Sequence, residues 1–581
     1  MIKKLAGAIR EYKKPAILSP LLIAGEAGLD CILPLITAGL INNIRTGCDM
    51  SLIVKDGLIL VVIALLSLLC GVLAAIYSAT AAVGFAGNLR HDLFNKVQSF
   101  SFENIDKFST PSLVSRLTTD VSNVQMAFMM IIRIAIRSPL MLVFSVISAI
   151  IVGKKLAWIF VGIIPVLFGG LILIAKLAMP IFRSVFQKYD DLNSSIQENV
   201  KAMRVVKSFV REDFETEKFV AASDNIRGDF TRAEALLAFN HPLMQLCIHT
   251  STILISFFAS KFIIESGATY LDIGSLTSML TYSMQVLMSL MMLSMIFVML
   301  TMSAASAKRI VEVLDEESTV VNPENPVTEV PDGSIVFENV SFKYSKDAES
   351  MALSGVNLSI KSGQTVGIIG GTGTGKTTLI QLISRLYDVT EGCVKVGGID
   401  VREYDLDVLR RQVSVVLQKN VLFSGTIKDN LRWGDENASD EEIERICRLA
   451  QADEFIQNFP DKYDTFIEQG GSNVSGGQKQ RLCIARALLR KPKVLILDDS
   501  TSAVDTRTDA LIRAAFRNEI PDTTKIIIAQ RISSVEDADL ILVMDNGRIN
   551  GIGTHEELLA DNDIYREVYF SQVKGGDDDE Q

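Results

Sequence analysis

Six apolar stretches crowd the first 303 residues of this 581-residue chain, at about 16–41, 57–84, 128–152, 156–179, 242–264 and 276–302. Each is long enough to cross the roughly 30 Å hydrocarbon layer, a distance that takes about 20 helical residues. Backbone in that layer must satisfy its own hydrogen bonds, so runs of this kind read as helices. The expected fold is therefore a six-helix transmembrane domain, 1–315, then a polar linker, 316–333, a soluble α/β domain, 334–574, and an acidic tail, 575–581. An apolar content of 48% fits this division, because the apolar residues thin out after about 303 and charge and short strand-like runs take over.

Basic residues set the orientation. Lys3, Lys4, Arg10, Lys13 and Lys14 precede the first span. Arg90, His91, Lys96, Lys107 and Arg116 lie between the second and third, and Lys201, Arg204, Lys207 and Arg211 between the fourth and fifth. Both joins and both termini are thus expected in the cytoplasm, with short outward loops. Residues 85–127 and 180–240 keep helical periodicity but are too polar for lipid. They predict four helices that run on beyond the bilayer and end in two short cross-helices. The N-terminus has a basic start without a cleavable apolar core, and reads as a helix lying on the membrane surface.

A net charge of −11 gives no basic footprint and argues against nucleic acid as a partner. Seven scattered cysteines without a CxxC pair argue against a disulfide framework or a zinc site. In the first span Glu26 and Asp30, four residues apart, share one helix face. Intramembrane carboxylates are costly and face a cavity, a partner charge or a substrate. They are read either as attracting cationic substrates or, more plainly, as pairing with a basic residue such as Arg133 or Arg137 or lining a wet cavity wall without selectivity. The sixth span carries Met279, Met284, Met288, Met291, Met292, Met295, Met299 and Met302. Such flexible, polarizable side chains suit a surface for varied apolar shapes, and equally suit ordinary packing. Met284, Met288, Met291 and Met295 join Glu26 and Asp30 as the candidate substrate path.

In the soluble half the apolar run TVGIIG leads into Gly370, Gly371, Thr372, Gly373, Thr374, Gly375, Lys376, Thr377 and Thr378. This is the P-loop pattern between a strand and a helix. Glycines let successive amide groups turn toward phosphates, and the helix N-terminus favours negative charge. Lys376 is expected on the β/γ-phosphates and the Thr377 hydroxyl on Mg²⁺. KVLILDDS is a second buried strand, and its Asp498 is the expected further Mg²⁺ ligand. ATP and Mg²⁺ are the expected cofactors.

Between these elements lies NVSGGQKQR, and its Ser475, Gly476, Gly477 and Gln478 closely resemble the signature of ABC transporters. In that family the signature opens a helix and meets the γ-phosphate of ATP bound to the opposite subunit. The resemblance spans nearly the whole chain. RHDLFNKVQSFSFENIDKFSTPSLVSRLTTDVSNVQ and NSSIQENVKAMRVVKSFVREDFETEKF resemble the two intracellular loops of type IV ABC exporters. It implies that Tyr344 stacks on adenine, that Gln418 is the Q-loop residue with a place in the metal shell and in catalysis, and that Ser502–Asp505 is the D-loop, with Asp505 near nucleotide.

Two positions depart from the family pattern. Asp499 stands where the water-polarising Glu is usual, and Gln530 where the switch His is usual. Asp is one methylene shorter, and a displacement of about 1 Å can cost a catalytic group on the order of a hundredfold. Gln can hydrogen-bond but cannot exchange a proton as His can. The segment Glu468–Gly471 also departs from the usual GERG. The chain is therefore expected to be the degenerate-site half of a heterodimeric multidrug-type exporter in the plasma membrane. It would move hydrophobic or amphipathic molecules and lend its signature to a second half-transporter. A homodimeric lipid or peptide exporter with slow ATPase, or a nucleotide-gated regulatory subunit, are the alternatives. With no peptidase domain before the first span, export coupled to leader cleavage is not expected.

Overall fold

The computed structural model describes residues 1–266, 271–345, 348–499 and 504–577, without the side chains of Phe186, Asp190, Met302 and 573–577. Ser502 of the expected D-loop and the end of the acidic tail lie outside the described residues. The chain forms two units, Met1–Gln98 with Ser109–Glu316, and Ser99–Phe108 with Glu317–Gln581.

The first unit is helical. Its long apolar helices are α1 (Lys13–Arg45), α2 (Met50–Gln98), α3 (Val121–Gly153), α4 (Trp158–Lys201), α5 (Asn240–Ser266) and α6 (Ile273–Asp315). A polar helix as long as α5, Glu212–Ala238, lies between α4 and α5 in the chain. Among the described residues, five continuous helical runs are long and apolar enough to cross a membrane. One of them, Thr110–Lys201, has 92 residues, about 138 Å if straight. It breaks at Lys154, where φ is +46°, and so supplies both α3 and α4. Small side chains allow close packing where lipid offers no hydrophobic drive: Ala27 of α1 and Ala74, Ala81, Ala82 and Ala86 of α2 are all fully buried. Pro34 inside α1 has no N–H for the Asp30 carbonyl one turn back. That carbonyl instead accepts from Gln285 Nε2 of α6 at 3.3 Å, and Tyr282 donates to the neighbouring Cys31 carbonyl at 2.7 Å. The carbonyl that Pro34 leaves free in α1 is thus answered by α6. Beyond α2 and α4 lie the short helices Phe102–Phe108 and Met203–Ser208, the first of which groups with the second unit.

The second unit holds two main sheets. Strands β1 (Ile335–Phe342), β2 (Leu353–Ile360), β4 (Glu391–Val396) and β5 (Ile399–Asp400) form an antiparallel sheet in the order β2-β1-β4-β5. The other sheet contains β3 (Thr365–Gly370), β6 (Val413–Val416), β9 (Val494–Asp498), β10 (Thr524–Ile528), β11 (Leu540–Asp545) and β12 (Arg548–Gly553), ordered β12-β11-β3-β10-β9-β6. A two-stranded ribbon, β7 (Gly425–Thr426) with β8 (Phe466–Ile467), lies apart. Every pair from β11 to β6 is parallel. Strands β9 and β10 are buried at every position, as expected of a parallel sheet covered on both faces. A parallel sheet brings the carboxyl ends of its strands to one edge, and the chemistry-bearing residues gather there.

Candidate functional site

Along that edge β3, β10, β9 and β6 are consecutive neighbours. From β3 the chain turns through Gly370–Gly375 into helix α7 (Lys376–Ile383). A Cβ on Gly370 would collide with the Met544 carbonyl, and Gly375 sits at φ +94° with the Ala352 carbonyl 2.9 Å from where a Cβ would stand. Both positions need glycine. The amino end of α7 is left with free N–H groups facing the loop, the donor set of a phosphate cradle. Lys376 Nζ donates to the carbonyls of Gly370 and Gly371 at 2.8 and 2.6 Å, and burial lowers its pKa, against the pull of Asp498 and Asp499. Thr372 is exposed. Thr374 hydrogen-bonds the Gly371 carbonyl at 3.0 Å.

Asp498 ends β9 and is 4% exposed. Burial raises its carboxyl above the ordinary range, with Thr377 opposing and Asp499 adding. Thr377 Oγ1 lies 3.2 and 3.4 Å from its two oxygens. Adjacent ligands of a six-coordinate Mg²⁺ stand about 2.9 Å apart, given bonds near 2.05 Å, so this pair fits that shell. Asp499 follows at φ +48°, a conformation Asp tolerates better than most residues. Its carboxylate Oδ2 accepts from Gln530 Nε2 at 2.7 Å and from Gln418 Nε2 at 3.3 Å. The reason is topological. Strands β10 and β6 flank β9, with Ile528 beside Asp498 and Val416 beside Leu497. Each glutamine lies two residues past its strand end, so the two amides close on Asp499 from both sides. Gln418, expected beside the metal pair, has Asp499 as its described partner. Gln480, not singled out in the sequence, donates to the Asp499 carbonyl at 3.4 Å.

The remaining predicted residues sit on caps and aromatic contacts. Ser475 caps helix α8 (Gly476–Leu489), its Oγ accepting from Gln478 N at 3.3 Å while its own N donates to Gln478 Oε1 at 2.9 Å. Ser475 and Gly476 are exposed at that amino end, with Gly477 half-buried. Asp505 caps helix α9 (Thr506–Glu519) by accepting from Thr508 N at 2.9 Å, and that bond lowers its carboxyl pKa. The Tyr344 hydroxyl meets Thr378 Oγ1 at 2.9 Å and donates to Gln381 Oε1 at 3.0 Å. Its ring lies edge-on to Tyr387, with centroids 5.3 Å apart. Tyr387, another residue the sequence did not mark, donates to Asp106 Oδ2 of the cross-helix Phe102–Phe108 at 2.8 Å. Burial, reinforced by that carboxylate, pushes its phenol pKa up.

Comparison with known proteins now bears on this geometry. Residues 16–291 match the ABC transporter transmembrane region, and residues 353–502 match the ABC transporter domain. The chain is 35% identical to the uncharacterized ABC transporter ATP-binding protein YfiB of Bacillus subtilis, over 98% of both chains. It is also 35% identical to the uncharacterized ABC transporter ATP-binding protein Rv1273c of Mycobacterium tuberculosis, over 97% of both. The chain belongs to the ABC transporter family. Its fold is that of a solved bacterial Atm1-family ABC exporter with ATP bound, at a TM-score of 0.81 and 24% identity, covering 97% of this chain and 98% of that one. The chain is thus a multi-pass membrane protein whose ATP-binding domain makes it an ATPase coupled to transport.

Within the transporter's membrane unit, Arg137 of α3 answers both acids of the first span, at 3.1 Å from Glu26 Oε1 and 2.9 Å from Asp30 Oδ2. Ser67 of α2 donates to Asp30 Oδ1 at 2.7 Å. Gly71 makes room for Glu26, whose carboxyl atoms lie 3.2–3.3 Å from where a Cβ would stand. Of the two readings of these acids, the described contacts are those of charge pairing. The methionines divide. Met284, Met288 and Met295 are exposed, and Met291 is half-buried against the core that α3–α6 share. A cavity of about 880 Å³ lies between α4 and α6, and none of the four lines it. At 100° per residue they occupy a different face of α6 from Leu290, Leu293, Ser294, Phe297 and Thr301, which do.

Proposed function

We propose that this chain is one half of an ATP-driven exporter of hydrophobic or amphipathic molecules, acting as the degenerate-site partner in a heterodimer. It sits in the plasma membrane with the ATPase domain and both termini in the cytoplasm. Its own P-loop holds ATP, with Thr377 and Asp498 as protein ligands for Mg²⁺, and it hydrolyses that ATP slowly. Ser475–Gln478 serve the nucleotide bound to the other half, and Asp505 is near that interface. Closure of the two ATP-binding domains turns the membrane path outward, and the substrate shifts that equilibrium only by binding one state better.

The observation that carries the reading is the state of Asp499. A carboxylate oxygen has two lone pairs, and Oδ2 is committed to two amide N–H groups. Neither amide can take up or pass on a proton, as an imidazole could. Grip on nucleotide does not depend on Asp499, so binding survives where water activation is weak.

The test is ATP turnover of the purified full-length chain, alone and with a second half-transporter carrying Glu and His at the matching positions. Turnover is expected only from the pair. Brisk hydrolysis by the chain as a homodimer would remove the heterodimer reading.

A further inference from the structure

Past β10 the chain runs through Ala529, Gln530 and Arg531 into a single helical turn, Ile532–Ser534. Ala529, Ile532 and Val535 are buried in a core of the second unit, whereas Gln530 and Arg531 between them are exposed. Arg531 is extended, at φ −97° and ψ 130°. On extended backbone the C=O of one residue and the N–H of the residue two further on face the same side. One residue of a neighbouring parallel strand can meet both.

Here a side chain takes that part. Gln572 Nε2 donates to the Gln530 carbonyl at 2.8 Å, and Gln572 Oε1 accepts from the Ile532 N–H at 2.9 Å. An amide can do this because it carries a donor and an acceptor on one planar group, whereas a carboxylate lacks the donor. Gln572 belongs to helix α10 (Asp563–Asp577). Tyr565 of that helix is fully buried, and its hydroxyl meets His555 Nδ1 at 2.8 Å. Val568 and Tyr569 pack on the same core that holds Ile532 and Val535. Residues 565, 568, 569 and 572 have the spacing of one helix face, so Gln572 carries the packed stripe on with an amide.

The two bonds fix the peptides on either side of Arg531, directly beyond the residue whose side chain reaches Asp499. Gln530 Nε2 donates to Asp499 Oδ2 at 2.7 Å. On the other side of Gln530, the Ala529 N–H is held by the Ile368 carbonyl of β3 at 3.3 Å. Further on, Ser534 donates to Asp509 Oδ2 of α9 at 3.1 Å. Gln530 is thus an exposed residue held before by the sheet and after by α10.

We propose that Gln572 is a positioning residue for the switch position: it fixes the backbone of 530–532 and so aims the side chain of residue 530 at residue 499. Through it the C-terminal helix α10 becomes part of the ATP site. This deepens the proposed function and rests on the roles given there to Asp499 and Gln530.

The test uses the full-length chain co-expressed with a second half-transporter. In hydrogen exchange, Gln572→Ala should speed exchange of the Ile532 amide by about tenfold or more, while the amides of β9 and β10 keep their protection. Turnover at this site is read from azido-ATP photolabelled on this chain, as loss of γ-label against retained α-label. Asp499→Glu with Gln530→His supplies a switch that can move a proton. Adding Gln572→Ala to that pair should lower turnover by about fivefold or more, with ATP affinity within about twofold. In the parent chain the same change should alter turnover by less than about twofold, because Gln530 moves no proton. Gln572→Glu matches the size but cannot donate to the Gln530 carbonyl when ionised, so it should follow the alanine variant. Unchanged exchange at Ile532, undiminished turnover of the triple variant, or an equal loss in the parent chain would each overturn the proposal. The two readings fail separately. If Asp499→Glu with Gln530→His brings no gain, the account of the weak site falls, and exchange at Ile532 alone decides this inference.

Discussion

At the β3 end of the sheet edge, Lys376 and Thr377 stand on a glycine turn with Asp498 beside them, 3.2 Å from the Thr377 hydroxyl. On the same edge, where β10, β9 and β6 end, Gln530, Asp499 and Gln418 form a closed hydrogen-bonded group. The first region offers free donors and metal-type oxygens. The second turns its only carboxylate toward protein amides. On the proposed roles, grip centres on the β3 turn and water activation on the group joined across β10, β9 and β6. The two meet at β9, where Asp498 and Asp499 are consecutive but turn their carboxylates to different partners. The two substitutions also become one event: a short Asp and a Gln in place of His meet at 2.7 Å, and each supplies the other's partner.

Removing the grip should break the comparison most severely. Lys376→Ala is expected to lower ATP retention at this site by a hundredfold or more, since it deletes the charge that we propose meets the phosphates. Photolabelling with an azido-ATP would show it, and undiminished labelling would mean that this P-loop does not hold the nucleotide. The next largest effect should come from the other region. Asp499→Glu with Gln530→His in the co-expressed pair should raise turnover at this site by about ten- to a hundredfold, the scale of a repositioned catalytic group, with ATP affinity changed less than threefold. Unchanged turnover and nucleotide trapping would show that the weakness lies elsewhere.

The fold class was legible because its signals are local. Apolar runs of span length, TVGIIG before a glycine-rich turn, and KVLILDDS each announce their element without help from the rest of the chain. The Asp499 group was not legible. Gln418 and Gln530 lie 81 and 31 residues from it, and only the order β10-β9-β6 makes them neighbours. Tyr387 gave no signal either, being a lone aromatic just past a helix whose partners are 281 residues back at Asp106 and at Tyr344. The methionines show a related limit. Composition can report that a helix is adaptable, but the packing of α6 on α1, α3, α4 and α5 decides which of its faces lines a cavity.

Tyr387 offers a smaller, sharper probe. It joins the cross-helix carboxylate Asp106 to the ring of Tyr344, whose hydroxyl reaches Thr378 on the P-loop helix. Tyr387→Phe keeps the ring contacts and deletes one hydrogen bond, worth about 0.5–1.5 kcal/mol. ATP affinity should move less than twofold, while stimulation of ATPase by transported amphiphile falls severalfold. If basal and stimulated turnover fall together, the hydroxyl serves only stability.

The smallest effect concerns the Asp498 carboxyl, and its sign follows from burial. Its pKa is raised above the usual 3.8, so the folded chain holds that proton more tightly than the unfolded chain. Stability then falls as pH rises from about 3.8 through the raised value, and stays reduced above it. Asn cannot ionise and keeps an oxygen for Thr377. Asp498→Asn should therefore raise the melting temperature of the ATPase-domain transition in nucleotide-free transporter at neutral pH by a few degrees, and the gain should vanish below pH 4. Adding Mg²⁺ with ATP should reverse the ranking, because ligand binding stabilises the chain that binds it best. A variant no more stable than the parent without nucleotide would mean that Asp498 bears no cost of burial. A ranking that stays unreversed with Mg-ATP would remove Asp498 from the grip region and leave its division from Asp499 without support.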